Sequence, residues 1–296
     1  MAWRFPGYGP RRTEDSLAAE FKLIAIYLAV SDACRDIVGD GRLRRRGFAP
    51  ALTDAEVITM EIFAEMQGHH SDSAIWRYFD AHWRQFFPTL PTRSVFAKHG
   101  ANLSMLKQMV QRVLYPAAAD IHLTDGFPIS VCMNCRVSRR KIFKSEDEVS
   151  WGFCASKQQP YFGFHGHVVT HLRDEIVAFA LTPANVDERL VVRNWFGLIT
   201  GLLIGDKGFI SKGLDEECDD HAIDLQTPLR RNMSDPRDKE AVRRLMRVRR
   251  RIETTIGQLT EFYGAEKPGA RDLFHMVGRL ARKIPAYNMS LSFKQS

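Results

Sequence analysis

The hydrophobic period of this chain changes near residue 118, and that change limits the possible folds. Before it, apolar residues recur at three- and four-residue intervals, the spacing of one helix face. The stretch LTDAEVITMEIFAEMQG opens with Thr53 three residues before Glu56, a capping-box pattern, and closes at Gly68. SDSAIWRYFDAHWRQFF begins with the cap-type residues Ser71 and Asp72 and stops before Pro88. RSVFAKHGANLSMLKQMVQRVLY has helical spacing up to Pro116. Residues 15–117 therefore read as an all-helical domain, either a plain packing module or one with a helix-turn-helix that binds DNA or a second subunit. FKLIAIYLAV, from Phe21, is too short to span a bilayer and reads as a buried helix. Residues 1–14 combine charge, Pro and Gly without the apolar centre of a signal peptide, and read as disordered.

After residue 118 the chain alternates. ADIHLTDGFPISVCM, YFGFHGHVVTH, EIVAFALT, LLIGD and AIDLQTP read as strands. NVDERLVVRNWFGLI and KEAVRRLMRVRRRIETTIGQLTEFYG read as helices, and a last helix covers roughly 272–289. Strands followed by alternating strand and helix predict an α/β domain over 118–296, a mixed sheet with helices on its faces.

Three carboxylates stand where burial favours an apolar residue. Asp125 follows Ile121 and Leu123 on one strand face, and Asp206 ends the apolar run Leu202–Leu203–Ile204. Glu253 lies beside Ile252 on a helix whose apolar face is Ile252, Ile256 and Leu259, bordering the buried stripe. A buried carboxylate is costly unless it is paired or binds a metal. Hard cations such as Mg²⁺ take oxygen ligands, and two of them can clamp an in-line phosphoryl displacement. The competing readings are ordinary: a helix cap or turn for Asp206, a hairpin turn at Asp125–Gly126. Gly205 and Gly208 leave room for a close approach of backbone, protein or nucleic acid.

The blocks LTDGFPI, YFGFHGHVV, LTPANVDE, LIGDKGF and RRRIETTIGQL, in this order, resemble the DDE transposases of bacterial insertion sequences, most of all the insertion-sequence 982 group. The resemblance spans roughly 50–290. It implies a ribonuclease-H-like fold and a two-metal site of Asp125, Asp206 and Glu253, holding Mg²⁺ with Mn²⁺ able to substitute. Arg249 falls on the family's arginine four residues before the glutamate. Met246 and Thr260 stand where relatives carry a tyrosine and a basic residue, which weakens the assignment of accessory DNA contacts and leaves the acid set untouched. The implied activity is cleavage of the element's ends followed by strand transfer, on terminal repeats and target DNA, by a homo-oligomer in the bacterial cytoplasm. The rivals are a stand-alone nuclease and an inactive or domesticated DNA-binding protein.

Charge supports a polyanionic partner. The formal net charge is +7. Between Pro228 and Ile252 ten Lys or Arg face three acids, an excess that equals that of the whole chain. Repulsion along such a helix is relieved by DNA phosphates. Lys207, Arg243, Arg244, Arg247, Arg249, Arg250 and Arg251 are the candidate DNA contacts. RVSRRKIFK (136–144) reads either as a second DNA-contacting loop or as plain surface. Five cysteines at irregular spacing argue against a disulfide framework. Cys132 and Cys135 lack a second pair at finger distance, so with His165 and His167 they make no zinc signature. His69 and His70 read as loop surface, and Trp76, Phe79, Trp83 and Phe86 as core.

Overall fold

The computed structural model describes residues 14–39, 47–144, 149–155, 157–230 and 232–295. The expected disorder of residues 1–14 falls, but for Glu14, outside them. Helices α1 (Glu14–Val38), α2 (Asp54–Met66), α3 (Asp72–His82), α4 (Arg93–Asn102) and α5 (Ser104–Leu114) come first. Strands β1 (Ile121–Cys132), β2 (Ser150–Cys154), β3 (Gln159–His171) and β4 (Ile176–Pro183) follow. The short α6 (Glu188–Val191), β5 (Gly201–Ile204), α7 (Lys212–Asp220), β6 (Ile223–Gln226), α8 (Lys239–Glu261) and α9 (Leu273–Gln295) complete the chain.

The six strands form one mixed sheet. β3 runs antiparallel to β1 and pairs on its other edge with β2 and then β4. On the far side of β1, β5 and β6 add in parallel. β1 is central, and both its faces are buried at His122, Leu123 and Thr124. One face carries Leu123, Phe127, Ile129, Phe164, Val168 and Ile204 against the larger helices. The other carries Val169, Leu203 and Ile223 against Val191, Val192, Trp195, Leu214 and Cys218. Each such aliphatic or aromatic side chain contributes about 1.5–3 kcal/mol on burial.

The capping box at Thr53 and Glu56 forms as its spacing predicts. Four expectations change. The helix expected over 93–115 breaks at Leu103 into α4 and α5. The stretch after Asn185 is α6, a 3₁₀ turn over 192–195 and a turn, with Val191, Val192 and Trp195 buried. β1 runs straight through Asp125–Gly126, so no hairpin turn forms there. α1 has apolar residues on several sides, yet its buried side is Leu23, Ile26, Val30 and Ala33, with Glu20, while Phe21 is 71% and Leu28 56% exposed. Leu17, Phe21, Ile24 and Leu28 recur at 4-3-4 spacing on that outer side, where the sequence predicted burial.

α9 returns to pack on α2, α4 and α5. At that seam Arg282 is buried, with Nε 2.7 Å from Glu65 Oε1 and Nη1 2.5 Å from Asp72 Oδ1. Lys283 Nζ lies 2.9 Å from Glu65 Oε2, and Lys107 Nζ 2.6 Å from Glu61 Oε2. Burial pushes the Glu65 carboxyl up, but His70, Arg282 and Lys283 outweigh it and hold it at about 2. His70 Nδ1 lies 2.5 Å from Glu65 Oε2, so the histidine read as loop surface belongs to this buried network. Phe79 and Trp83 are buried as expected, with Trp76 and Phe86 packed partly beside them. No helix among the described residues is long and apolar enough to cross a membrane.

Candidate active site

Strand register places the first two acids side by side. β1 and β5 pair in parallel with Ile121 beside Leu202 and Leu123 beside Ile204. The same offset, carried two residues on, sets Asp125 level with Asp206. Both fall on the face covered by α8, because side chains alternate along a strand. α8 packs against β1 with Ile252, Thr255 and Leu259 buried, and this brings Glu253 to the strand ends.

The three acids meet around one guanidinium. Arg249 Nη1 lies 2.8 Å from Glu253 Oε1, and Nη2 lies 3.3 Å from Asp206 Oδ1 and 3.7 Å from Asp125 Oδ2. Arg249 Nε is buried and takes no hydrogen-bond partner. Asp125 Oδ1 accepts from the Gly126 N–H at 2.8 Å. Burial pushes the Asp125 carboxyl up to about 6; the Gly126 N–H and Arg249 oppose the shift, while Asp206 and Glu253 add to it. Asp206 precedes the 3₁₀ turn 207–209 but its side chain makes no capping hydrogen bond there, so a cap does not explain it. Glu253 is 53% exposed, more open than its place beside Ile252 suggested.

A fourth acid stands nearby. Glu188 opens α6, and its carboxyl is pushed up to about 7 by burial and by the charges of Asp125, Asp206 and Asp187. Its Oε1 lies 3.3 Å from His165 Nε2. The glycines around Asp206 serve these side chains. A Cβ on Gly205 would lie 2.8 Å from the Phe209 ring, and one on Gly208 3.1 Å from Glu188 Oε2. Side chains, and not backbone as the sequence suggested, fill the room these glycines leave.

Three carboxylates around one guanidinium, with Glu188 nearby, supply the hard oxygen donors a divalent ion takes. The donor chemistry fits such an ion. As folded, Arg249 stands among the acids, and no three His, Cys, Asp or Glu side chains of the described residues are grouped to hold one ion. Among the described residues Cys132, Cys135, His165 and His167 likewise form no group that could hold an ion.

A family model described as the transposase DDE domain matches residues 116–272, just over half the chain. The chain belongs to the DDE transposase family. The matched segment contains Asp125, Glu188, Asp206, Arg249 and Glu253, and begins after α5. A solved structure, the piggyBac transposase synaptic complex with hairpin DNA, is similar at 9% identity with a TM-score of 0.43, over 95% of this chain and 76% of that one. No curated protein matches.

The basic residues of this DDE domain separate into two groups. Arg249 is taken by the acids, Arg251 is held by Asp174 at 2.8 and 2.9 Å, and Arg244 lies 2.5 Å from Glu240. Among the described residues no ion pair is found for Lys207, Arg243, Arg247 or Arg250, all exposed. At 100° per residue, Arg243, Arg247 and Arg250 form one stripe, centred about 90° from the radial position of Glu253. In the second cluster Arg140 stacks 4.6 Å over the Phe162 ring, while Arg136, Arg139, Lys141 and Lys144 are exposed. Glu188 and His165 escaped assignment in the sequence. Their signal was present in the blocks LTPANVDE and YFGFHGHVV, where an acid and a histidine sit near strand positions that register brings to the Asp125 level.

Proposed function

We propose that this chain is the transposase of a bacterial insertion sequence of the 982 group, and that it cleaves element ends and joins them to target DNA with Asp125, Asp206 and Glu253 as its metal-holding acids. The observation that carries this reading is the convergence of three acids, distant in sequence, on Arg249. The sheet order supports a ribonuclease-H-like domain: three antiparallel strands, β4, β3 and β1, continue into parallel β5 and β6, and the glutamate comes from the helix after β6.

In this reading Asp125 and Asp206 hold Mg²⁺ from the sheet and Glu253 from α8, with Mn²⁺ able to substitute. Ions so held would supply activation of the attacking oxygen and stabilisation of the leaving one, the chemistry that both end cleavage and strand transfer need. Lys207 and the Arg243–Arg247–Arg250 stripe hold phosphates on either side of the scissile bond. Arg249, displaced from the acids, is placed to pair with the phosphate that enters. Residues 15–117 form the DNA-binding or dimerisation unit and 118–296 the catalytic unit. The apolar outer side of α1 supports self-association through a second copy. The protein works in the bacterial cytoplasm, on the nucleoid.

The deciding assay is strand transfer of a pre-cleaved element end into plasmid in Mg²⁺, for wild type and Asp125→Asn, Asp206→Asn and Glu253→Gln. Joining by the wild type and its loss in all three variants is the expected result. Folded variants that join normally overturn the acid assignment. Nicking without joining identifies a nuclease instead, and salt-sensitive DNA binding without chemistry identifies a non-catalytic binding protein.

A further inference from the structure

Glu188 belongs to none of the fold's paired charges. Its neighbour Asp187 caps α6 and is engaged by Arg189. Glu188 itself has no Lys or Arg partner among the described residues; the polar side chain closest to it in the pairings is His165. Its side chain is 35% exposed, so it is open to solvent and to ions that solvent delivers.

Two contacts fix where it points. Glu188 Oε2 leans on Gly208, two residues after Asp206, where an added Cβ would sit 3.1 Å away. His165 Nε2 lies over Gly126, one residue after Asp125, where an added Cβ would sit 2.3 Å away. The Glu188–His165 pair thus rests on the glycines that follow the two aspartates. Its own separation is 3.3 Å, and His165 Nε2 is buried without a well-aligned hydrogen bond. The Tyr161 hydroxyl lies 3.0 Å from His165 Nδ1. This hydrogen bond ties up Nδ1 and fixes the ring with Nε2 toward Glu188.

We propose that Glu188 is a fourth carboxylate of the cation-holding set, aimed by His165 and Tyr161, and that it serves as the outer acceptor for the shell of an ion held by Asp125 and Asp206. This rests on the acid assignment proposed above. Glu188 is a positioning residue: it acts through the ion's shell and through the two glycine segments it touches. Outer partners of metal ligands typically change affinity by about 10–100-fold when removed.

The test is Mn²⁺ binding to the full chain without DNA, read from the electron paramagnetic resonance signal of free Mn²⁺, alongside thermal unfolding in EDTA. E188Q keeps the shape and removes the charge; it should weaken Mn²⁺ binding about 10–100-fold while unfolding at or above the wild-type temperature. G208A keeps the charge and crowds the carboxylate, and it should weaken binding in the same direction. D206N should remove binding. If E188Q binds Mn²⁺ as the wild type does while D206N does not, Glu188 is not part of the set, and the reading of Asp206 stands. If D206N binds as the wild type does, the acid assignment itself fails.

Discussion

Replacing Asp125 with Asn should make the metal-free protein more stable, though the replacement removes a proposed metal ligand. The Asp125 carboxyl is pushed from its ordinary 3.8 up to about 6, and burial is the main cause. Because the folded value lies above the unfolded one, the native protein keeps a proton between about pH 4 and pH 6 that the unfolded chain has released. Stability therefore falls as pH rises through that window, and the loss is complete above it. The penalty is about 0.5 kcal/mol at pH 4 and about 3 kcal/mol at pH 7 and above. Asparagine can still accept from the Gly126 N–H, but its amide donors face Arg249, which offsets part of the gain. A net stabilisation of about 1–2 kcal/mol at pH 8 remains, equivalent to about 2–3 °C in Tm for a chain this long. Thermal unfolding of wild type and D125N in EDTA at pH 4 and pH 8 measures it. At pH 4 the gain should vanish, and Mn²⁺ should stabilise the wild type more than the variant. A D125N protein less stable than wild type at pH 8, or a difference that ignores pH, would refute the argument.

Three further perturbations test other parts of the molecule. Arg282→Met leaves Glu61, Glu65 and Asp72 without a shared partner in the interior, and should cost about 3–5 kcal/mol in urea unfolding; a loss under about 1 kcal/mol contradicts the network. Arg243, Arg247 and Arg250 changed together to Ala should lower the slope of log affinity for DNA against log salt by about 0.9 per residue. An unchanged slope removes the stripe from the DNA contacts. Phe21→Glu with Leu28→Glu places charge on the exposed side of α1 and should shift sedimentation toward monomer with little change in Tm; unaltered sedimentation would rule that side out as the contact.

Residues whose environment is set by neighbours along the chain were legible in the sequence. The Thr53–Glu56 box, the strands of β1, β3, β4, β5 and β6, and α8 follow from caps and apolar period. The candidate acids were visible because each breaks its local pattern: Asp125 and Asp206 interrupt apolar strand runs, and Glu253 borders an apolar stripe. The features set by distant partners were hidden. Glu188 looks like an ordinary first-turn acid until His165 and Gly208 come up against it. Arg249 read as a phosphate contact, and its place among the acids depends on how α8 lies across β1. Arg282 and Lys283 sit in a helix with ordinary spacing; their burial needs α2 and α3 to arrive from more than two hundred residues earlier. α1 reads as buried because apolar residues surround it, and period alone does not say how many neighbours are present to cover them.

The molecule handles buried charge in two opposite ways, and the contrast separates scaffold from site. At the α9 seam Lys107, Arg279, Arg282 and Lys283 face Glu61, Glu65 and Asp72, and each acid has a cation within 3.4 Å. There the ionised acids are favoured, as the low value at Glu65 records. At the strand ends Asp125, Asp206 and Glu253 share Arg249, Glu188 pairs with His165, and Asp125 and Glu188 are pushed toward their protonated forms. A fold gains nothing from such crowding, since one more arginine or one fewer acid would relieve it. Local electrostatic strain of this kind persists where an added cation or an approaching phosphate changes the balance. Were Asp125, Asp206 and Glu253 to hold a divalent ion, it would supply two charges where Arg249 supplies one, leaving the guanidinium free to pair with an entering phosphate.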